Sequence, residues 1–471
     1  MDIVARAATS FGESPALITP ERSWSFAELD AGSARIAAAF ASEGIGQGDI
    51  VSVVAPNSPP MLLTLIALLR IGAVAAPVNH RFPVGHIEGM LQRLAPRMTL
   101  VDTASGFTSP SETIDLQTFV TNAIAEGSIS FTPDTDDERP VSVIHTSASS
   151  GTPKAALHSF SNHWHNAKGS TENLPFGPGD CWLLSLPLYH IGGYSMIFRC
   201  LACGGAIAAG GPGLTIEEAI AALPVTHLSL VPTQLYRMLR TTHGTALLSG
   251  LKAILLGGSA ASVPLLEAAV TEGLPVYLTY GSTEMGSQVS TSAGPISTPV
   301  TDSGKILPFR EATISPEGEI LVKGPCLFLG YLEPNGLEQS RDAEGWFHTG
   351  DSGSISDDGM LTVLGRRDNM FVSGGENIHP EEIEKALAAI PGIEEALVVP
   401  APDSEYGMRP EAWIRVADGT EVDERGIASR IGEVLGRLKT PVAFNRVSEW
   451  VTIAGSAKID RGWYRKQAAG Q

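Results

Sequence analysis

Residues 49–78 read DIVSVVAPNSPPMLLTLIALLRIGAVAAPV, and their pattern indicates the fold class. The apolar run over 50–55 suits a buried strand, and the run over 74–78 suits a second one. Between them, Pro60 opens a helix that ends near Gly72. A strand, a helix and a strand in succession predict parallel strands in an α/β fold.

The same alternation extends to both sides of this stretch. Upstream, SFAE at 25–28 has the capping-box pattern, which predicts a helix running to Gly44. Downstream, apolar runs at 183–186, 253–256 and 275–278 predict further strands. A large layered α/β domain therefore accounts for the first half of the chain and more.

The pattern changes after about Ser303. Short strand-like segments at 319–323, 345–348 and 360–364 are separated by Gly, Asp and Asn, which predicts a compact β subdomain. Beyond Gly365, about 100 residues remain, a normal size for a small domain.

The C-terminal unit contains one clearly amphipathic helix. Pro380 stands where a helix would start, and Ile383, Leu387 and Ile390 share one face. The Pro-Gly pair at 391–392 would end it. This predicts a small α+β domain.

Composition excludes some classes of partner. The chain has 471 residues, a formal net charge of -19 and 43% hydrophobic residues, which is typical of a folded, acidic protein. Such a surface repels nucleic acid and anionic membranes.

The most apolar stretch, 61–78, is interrupted by Arg70 and is too short to span a bilayer. No basic-then-apolar signal sequence begins the chain, so we expect a cytoplasmic protein. The oligomeric state stays open, with a homodimer among the possibilities.

Four cysteines are present: Cys181, Cys200, Cys203 and Cys326. The C-x-x-C pair at 200–203 has no second pair to complete a zinc site. We expect buried free thiols.

A candidate phosphate-binding loop follows the apolar strand at 141–144. It reads TSASSGTPK over 146–154, with small hydroxyl residues, a Gly and a Lys whose backbone and charge suit phosphate oxygens. It is not a Walker loop, because Pro153 and Ala155 flank the lysine. Alone, the loop could also be a solvated Ser/Thr turn.

Together with motifs further along the chain, this loop resembles the signature of the adenylate-forming superfamily, which includes acyl-CoA synthetases, luciferases and adenylation domains of peptide synthetases. The motifs are YGSTE at 280–284, TGD at 349–351, GRRD at 365–368 and the late Lys458. Their order along most of the chain makes coincidence an inadequate explanation.

The resemblance implies a site for ATP and Mg²⁺. Tyr280 would stack on the adenine, Thr283 would contact the α-phosphate, and Glu284 would bind magnesium. Asp351 would bind the ribose hydroxyls, with Arg366 reinforcing it, although a turn carboxylate is the alternative for Asp351. The full set of residues implied to bind ATP is Thr146, Ser147, Ser149, Ser150, Gly151, Thr152, Lys154, Gly257, Gly258, Tyr280, Gly281, Asp351 and Arg366.

The resemblance also implies a mobile C-terminal lid. Lys458 would bridge the substrate carboxylate and the α-phosphate, and Ser373, Gly374 and Gly375 would line the tunnel for coenzyme A. Both cannot face the reacting carbon at once, so a hinge at Asp368 is implied. The implied division is an ATP- and acid-binding domain over 1–365, a hinge over 366–368 and a lid over 369–471. Ala148 and Ala457 depart from the family pattern, which has Gly at both positions.

The acid substrate is indicated by the run LPLYHIGG at 186–193 and by Arg199 in an apolar stretch. An arginine fork suits a second carboxylate. The runs around His190, Arg199, 154–158 and 365–378 resemble the 2-succinylbenzoate–CoA ligase family of menaquinone biosynthesis. This resemblance implies that His190, Arg199 and Gly281 bind the acid, and that His190 joins Thr283, Glu284 and Lys458 in catalysis.

Alternatives stay open at this stage. His190 could be a core histidine, and Arg199 could pair with a structural acid. The chain could be another aryl- or acyl-CoA ligase, or an adenylation enzyme that loads a carrier protein. A nucleotide-binding relative without activity is disfavoured by Lys154, Glu284, Asp351, Arg366 and Lys458.

Overall fold

The computed structural model describes residues 2–103, 106–107, 113–126, 130–146, 153–211, 213–300, 302–374, 376–417, 423–453 and 458–470. Within them the helices are α1 (Ile3–Phe11), α2 (Phe26–Ser42), α3 (Pro59–Ile71), α4 (Val84–Leu94), α5 (Leu116–Glu126), α6 (Phe160–Asn173), α7 (Ile191–Cys203), α8 (Ile216–Ala222), α9 (Pro232–Leu239), α10 (Thr242–Ser249), α11 (Val263–Thr271), α12 (Pro380–Ala388), α13 (Glu424–Leu435) and α14 (Arg461–Ala468).

The strands of the same residues are β1 (Pro15–Ile18), β2 (Ser23–Ser25), β3 (Ile50–Val54), β4 (Val74–Val78), β5 (Met98–Val101), β6 (Ile114–Asp115), β7 (Pro140–His145), β8 (Ala155–Ser159), β9 (Cys181–Leu183), β10 (Ala206–Ala208), β11 (His227–Leu230), β12 (Ala253–Leu256), β13 (Val276–Ser282), β14 (Ser287–Thr291), β15 (Lys305–Ile306), β16 (Glu311–Ile314), β17 (Glu319–Lys323), β18 (Gly330–Glu333), β19 (Gly336–Glu338), β20 (Phe347–Ile355), β21 (Leu361–Arg366), β22 (Phe371–Ser373), β23 (Glu376–Ile378), β24 (Ile393–Asp403), β25 (Gly407–Val416) and β26 (Phe444–Arg446).

Residues 49–78 form the predicted strand–helix–strand unit at the centre of an eight-stranded sheet. Strands β3 and β4 are parallel neighbours, with Val51 opposite Ala75. Ser58 caps α3 through its side chain, and Gly72 ends the helix in the left-handed conformation. The sheet order is β19-β18-β8-β7-β4-β3-β5-β6.

A second, nine-stranded sheet packs against the first. Its order is β15-β14-β13-β12-β11-β9-β10-β1-β2, and the strands from β13 to β1 run parallel. One core cluster joins Val51 and Val53 of the first sheet to Leu17 and Trp182 of the second, together with the helices between them. The predicted α/β layers are therefore confirmed.

Strand β9 differs from the prediction, which placed it at 183–186. The backbone NH of Leu184 still bonds to the Ala208 carbonyl. The side chain of Ser185 then bonds to the Ser229 carbonyl, and Pro187 has no NH to continue a ladder. The chain consequently leaves the sheet just before the segment that contains His190.

The helix predicted after Ser25 is α2, and both hydrogen bonds of its capping box are present. The predicted β subdomain is the four-stranded sheet β16-β17-β20-β21. The helix predicted from Pro380 is α12, with Ile383 and Leu387 fully buried.

A small C-terminal domain has its own cores. One lies between α12, α13 and the sheet β24-β25-β26, and a second lies under Tyr464 of α14. The exact boundary at 366–368 stays a prediction.

All four cysteine thiols are free, with Cys203 half-buried and the others buried. No helix of the described residues is long and apolar enough to cross a bilayer.

Candidate active site

The centre of the candidate site is a hydrogen-bonded group formed by Tyr280, Asp351 and Arg366. Tyr280 lies near the end of β13, and its hydroxyl donates to Asp351 Oδ2 at 2.6 Å. Arg366 is the cross-strand partner of Asp351 in the β20–β21 pair and approaches Oδ1 at 3.2 Å. Three positions far apart in the sequence therefore meet.

Burial and neighbouring charge act in opposite directions on Asp351. Burial raises the pKa of its carboxyl group, whereas the hydroxyl of Tyr280 and the positive charge of Arg366 lower it. Burial raises the pKa of Tyr280 as well, and the charge of Asp351 adds to this effect. Tyr280 therefore stays a protonated donor, with its ring edge fixed beside the carboxylate.

A second group contains Glu284, Tyr331 and Lys154. The hydroxyl of Tyr331 donates to Glu284 Oε1 at 2.7 Å, and Lys154 Nζ lies 4.6 Å from the centre of the Tyr331 ring. Strand β18, which carries Tyr331, pairs with β8 directly after Lys154. Tyr331 could not be found from the sequence, because this pairing joins distant parts of the chain.

The candidate phosphate loop is closed at its base. The NH of Thr146 bonds to the Lys154 carbonyl at 2.9 Å, and the NH of Lys154 bonds to Thr146 Oγ1 at 3.2 Å. The other predicted loop residues, Ser147, Ser149, Ser150, Gly151 and Thr152, lie outside the described residues, as do Ala148 and Ala457.

Thr283 and Glu284 follow β13, and a buried histidine contacts this segment. His158 Nε2 lies 2.7 Å from the Thr283 carbonyl oxygen. Burial lowers the pKa of His158 to about 4, so the ring is neutral and can donate through Nε2. Sequence reasoning did not single out this contact.

The predicted glycines occupy crowded backbone positions. A Cβ atom on Gly281 would lie 2.0 Å from the Ser287 carbonyl oxygen of β14. A Cβ on Gly257 would lie 2.6 Å from Thr279 Cγ2 on the neighbouring strand. Gly258 has a φ of +85°, which favours glycine. Strand packing therefore supplies a reason for these glycines that does not depend on a nucleotide.

Helix α7 carries two of the three residues predicted for the acid, and the third, Gly281, lies on β13. His190 is the N-cap of α7, and burial lowers the pKa of this imidazole to about 4, with Lys458 and Arg81 as further causes. Arg199 lies in the last two turns and is 1% exposed. Its Nη2 approaches Gln288 Oε1 at 3.2 Å and Ser287 Oγ at 3.4 Å.

No carboxylate of the described residues forms an ion pair with Arg199, and its Nε atom has no hydrogen-bond partner there. Burial lowers the pKa of this guanidinium to about 10, and the charge of Arg310 contributes. At neutral pH the side chain is still a cation. The alternative of a structural acid as partner therefore finds no support in the described part of the chain.

Lys458 brings the C-terminal domain to this group of residues. Burial lowers the pKa of its amine, and so does the positive charge of Arg366, whereas the negative charges of Asp351 and Glu284 raise it. Lys458 as a whole residue is nevertheless exposed to solvent. Lys458 and His190 are also close enough to influence each other.

The residues predicted for the coenzyme A tunnel are not brought to this centre. Ser373 is buried and Gly374 packs against Tyr406 and Leu438 of its own domain; Gly375 lies outside the described residues. Asp368 is exposed and contacts Arg366 Nη2 at 3.4 Å. The lid therefore presents Lys458, and not the 373–374 turn, to the candidate site.

Comparison with known proteins agrees with this geometry. The AMP-binding enzyme family matches residues 4–332, and the AMP-binding enzyme C-terminal domain matches residues 382–458. The 2-succinylbenzoate–CoA ligase of Salmonella typhimurium (strain LT2) is 36% identical over 90% of this chain and 87% of its own length. That of Escherichia coli (strain K12) is 34% identical over 97% of this chain and 96% of its own.

Solved structures are similar over nearly the whole length. An Escherichia coli MenE variant with bound OSB-AMS has a TM-score of 0.83 at 32% identity and covers 100% of this chain and 98% of its own. The o-succinylbenzoate CoA synthetase (MenE) from Bacillus subtilis, in complex with the acyl-adenylate intermediate OSB-AMP, has a TM-score of 0.85 at 27% identity, covering 98% of both chains.

Proposed function

This chain belongs to the AMP-binding enzyme family, and we propose that it is an ATP-dependent acid–CoA ligase acting on 2-succinylbenzoate. A carboxylate oxygen of the acid attacks the α-phosphorus of ATP, and pyrophosphate leaves. The sulfur of coenzyme A then attacks the acyl carbon, AMP leaves, and the thiol proton passes to solvent. The observation that carries the choice of acid is the buried guanidinium of Arg199, which has only neutral hydrogen-bond partners among the described residues.

Arg199 receives the carboxylate that does not react. A buried cation without an anionic partner is costly, and a diacid substrate supplies the missing anion while its other carboxylate reaches the ATP. Gln288 and Ser287 hold the guanidinium in place. A monocarboxylic acid would leave the cation unpaired, so the pocket selects for diacids.

Lys458 assists the first step. Its amine lies among Asp351, Glu284 and Arg366, where a cation stabilises the negative charge that develops as the carboxylate attacks phosphorus. His190 is neutral and lines the same space without adding charge. Thr283 is held by His158 through its carbonyl, which leaves its side chain for the α-phosphate.

Asp351 and Arg366 bind the ribose, and Tyr280 supports the adenine. Two oxygens of Asp351 already accept from Tyr280 and Arg366, and each keeps a lone pair for a ribose hydroxyl. The backbone of Gly257, Gly258 and Gly281 and the 146–154 loop with Lys154 complete the nucleotide site in this proposal.

Magnesium fits Glu284. Among the described residues no cluster of three or more His, Cys, Asp or Glu could hold a metal by itself. One carboxylate that shares an octahedral ion with phosphate oxygens is the usual arrangement for Mg²⁺. The ion would offset phosphate charge, while Tyr331 orients the carboxylate through Glu284 Oε1.

The second step needs the lid to turn about Asp368. The turn that contains Ser373, Gly374 and Gly375 would then line the path of coenzyme A. The boundary of the lid at 369 and the hinge at 366–368 belong to this proposal. ATP and coenzyme A are supplied in the cytoplasm, which is where we place the reaction.

The test is AMP release with ATP, Mg²⁺ and coenzyme A against 2-succinylbenzoate, benzoate, medium-chain fatty acids and amino acids. Turnover with 2-succinylbenzoate alone is expected. Turnover with another acid would overturn the substrate, and pyrophosphate exchange without a thioester on free coenzyme A would overturn the acceptor in favour of a carrier protein.

A further inference from the structure

The two domains touch at a second place, away from Lys458. Tyr236 on α9 of the N-terminal domain faces the start of β24 in the C-terminal domain, and its hydroxyl donates to Glu394 Oε2. The guanidinium carbon of Arg415 on β25 lies 4.2 Å from the centre of the Tyr236 ring. Ser262 adds a bond from its hydroxyl to the Glu394 carbonyl at 3.4 Å. We call Tyr236, Glu394 and Arg415 the latch.

On the C-terminal side of the latch, residues of the same domain hold Arg415 in place. Arg415 approaches Glu394 at 3.3 Å through Nε and Glu395 at 2.9 Å through Nη2. The Arg415 side chain is only 14% exposed. These two ion pairs hold its planar guanidinium against the ring of Tyr236. Tyr236 thus contacts the lid through both its hydroxyl and its ring face.

Burial and the hydrogen bond to Glu394 raise the pKa of Tyr236. The phenol therefore stays protonated at neutral pH and keeps its role as donor. On the N-terminal side, Arg240 Nη1 reaches the same phenol oxygen at 3.3 Å, which limits the movement of the ring.

A continuous set of contacts links the latch to Lys458. Glu395, which binds Arg415, accepts a hydrogen bond from Trp450 Nε1 at 2.5 Å. Trp450 directly precedes the antiparallel pair in which Thr452 bridges to Ile459. The NH of Ile453 bonds to the Lys458 carbonyl at 2.9 Å. A change in the orientation of Arg415 would therefore be passed through these contacts to Lys458.

We propose that Tyr236, Glu394 and Arg415 are positioning residues for adenylate formation: the latch holds the lid in the orientation that presents Lys458, and it opens when the lid turns for thioester formation. This inference rests on the proposed function. It also predicts which half-reaction depends on the latch, because an interaction present in one orientation alone shifts the balance toward that orientation.

The test measures the two half-reactions separately in the full-length variants Tyr236→Phe and Glu394→Gln. Tyr236→Phe removes the hydroxyl donor, and Glu394→Gln removes the negative charge of its acceptor, each with little change in shape. Acid-dependent pyrophosphate exchange should fall about fivefold, the effect of one hydrogen bond to a charged group at a partly exposed site. Thioester formation from supplied acyl-adenylate and coenzyme A should be unchanged or faster. An equal loss in both half-reactions, or an unchanged exchange rate, would overturn the proposal.

Two controls separate the latch from general damage. Tyr277→Phe removes a buried phenol within the N-terminal domain and should leave both half-reactions as in the wild type. The double variant Tyr236→Phe/Glu394→Gln should lose no more exchange activity than either single variant; losses that simply multiply would contradict a shared contact. Melting temperatures identify a variant that fails to fold. If the wild type itself forms no adenylate, the proposed function fails, and not the latch.

Discussion

At the scale of single residues, the site is governed by what burial does to charge. Arg199 remains a cation at 1% exposure with two neutral oxygens as hydrogen-bond partners. Burial raises the pKa of the Asp351 carboxyl group, and Tyr280 and Arg366 oppose this rise. His190 is neutral because burial and the positive charge of the nearby Lys458 both disfavour protonation of its imidazole.

Replacing Arg199 tests the diacid assignment. Arg199→Ala should raise the KM for 2-succinylbenzoate about 10- to 100-fold, because a charge-assisted pair is lost, with the KM for ATP unchanged. Arg199→Lys keeps the charge without the planar fork and should give an intermediate value. Steady-state kinetics against both substrates provide the measurement, and an unchanged KM for the acid would contradict the assignment.

Buried histidines make stability depend on pH. Burial lowers the pKa of His145 from its ordinary value of 6.5 to about 4. The unfolded chain therefore binds more protons between these values, and stability should be full above pH 6.5 and fall as the pH drops toward 4, by up to about 1.4 kcal/mol per pH unit and histidine.

Thermal unfolding at pH 7.5 and pH 5 measures this effect. His145→Gln should show a smaller loss of melting temperature on acidification than the wild type. His243 is exposed, so the melting temperature of His243→Gln should fall on acidification by as much as that of the wild type. Equal losses in all three proteins would exclude His145 as a source of the pH dependence.

The charged residues of the candidate site could be predicted from the sequence, but the residues that hydrogen-bond to them could not. Asp351, Arg366 and Lys458 occur in short motifs that can be recognised without a structure. Tyr331 and Gln288 carry no such motif, and they reach Glu284 and Arg199 only because strands distant in sequence pair or pack. The 147–152 loop lies outside the described residues, so that part of the prediction remains a prediction.

At the scale of elements, strand β13 and its neighbour β14 determine the shape of the site. They pair with a register shift between Tyr280 and Gly281, and β14 also carries the two partners of Arg199. The strands with continuous apolar runs were predictable. The end of β9 was not, because it depends on a side-chain bond from Ser185 to a neighbouring strand.

Gly281→Ala should distort this pair of strands. Its Cβ would lie 2.0 Å from a backbone oxygen of β14, and relief of that clash should cost about 1–3 kcal/mol in the free energy of unfolding. Gly294 has no atom within 4 Å of a built Cβ, so Gly294→Ala is the matched control and should be neutral. Urea unfolding measures the free energy of unfolding of both variants. Equal values would show that β14 can move to relieve the clash without loss of stability.

At the scale of the whole molecule, the C-terminal domain brings Lys458 close enough for the charges of Asp351 and Glu284 to act on its amine. The turn at 373–374 packs within its own domain. In the proposed function this orientation serves adenylate formation, and the second half-reaction requires another. Two domains with separate cores could be predicted from composition and patterning. Their relative orientation could not, since it depends on contacts such as Tyr236 with Arg415.

Restricting the hinge should separate the two half-reactions. Asp368→Pro fixes φ at about −65° in the segment between the domains and should lower thioester formation more than adenylate formation. Asp368→Ala keeps the backbone free and serves as the control. Pyrophosphate exchange and thioester formation from supplied adenylate are measured in parallel, and equal effects on both would remove Asp368 as the hinge.

The proposed reaction is tested by mass-spectrometric detection of the product from 2-succinylbenzoate, ATP, Mg²⁺ and coenzyme A, for the wild type and for Lys458→Ala. We expect 2-succinylbenzoyl-CoA with equimolar AMP from the wild type. We expect no product from Lys458→Ala unless the acyl-adenylate is supplied. A wild type that forms no thioester with this acid, or a Lys458→Ala variant that forms it from ATP at the rate of the wild type, would contradict the proposed function.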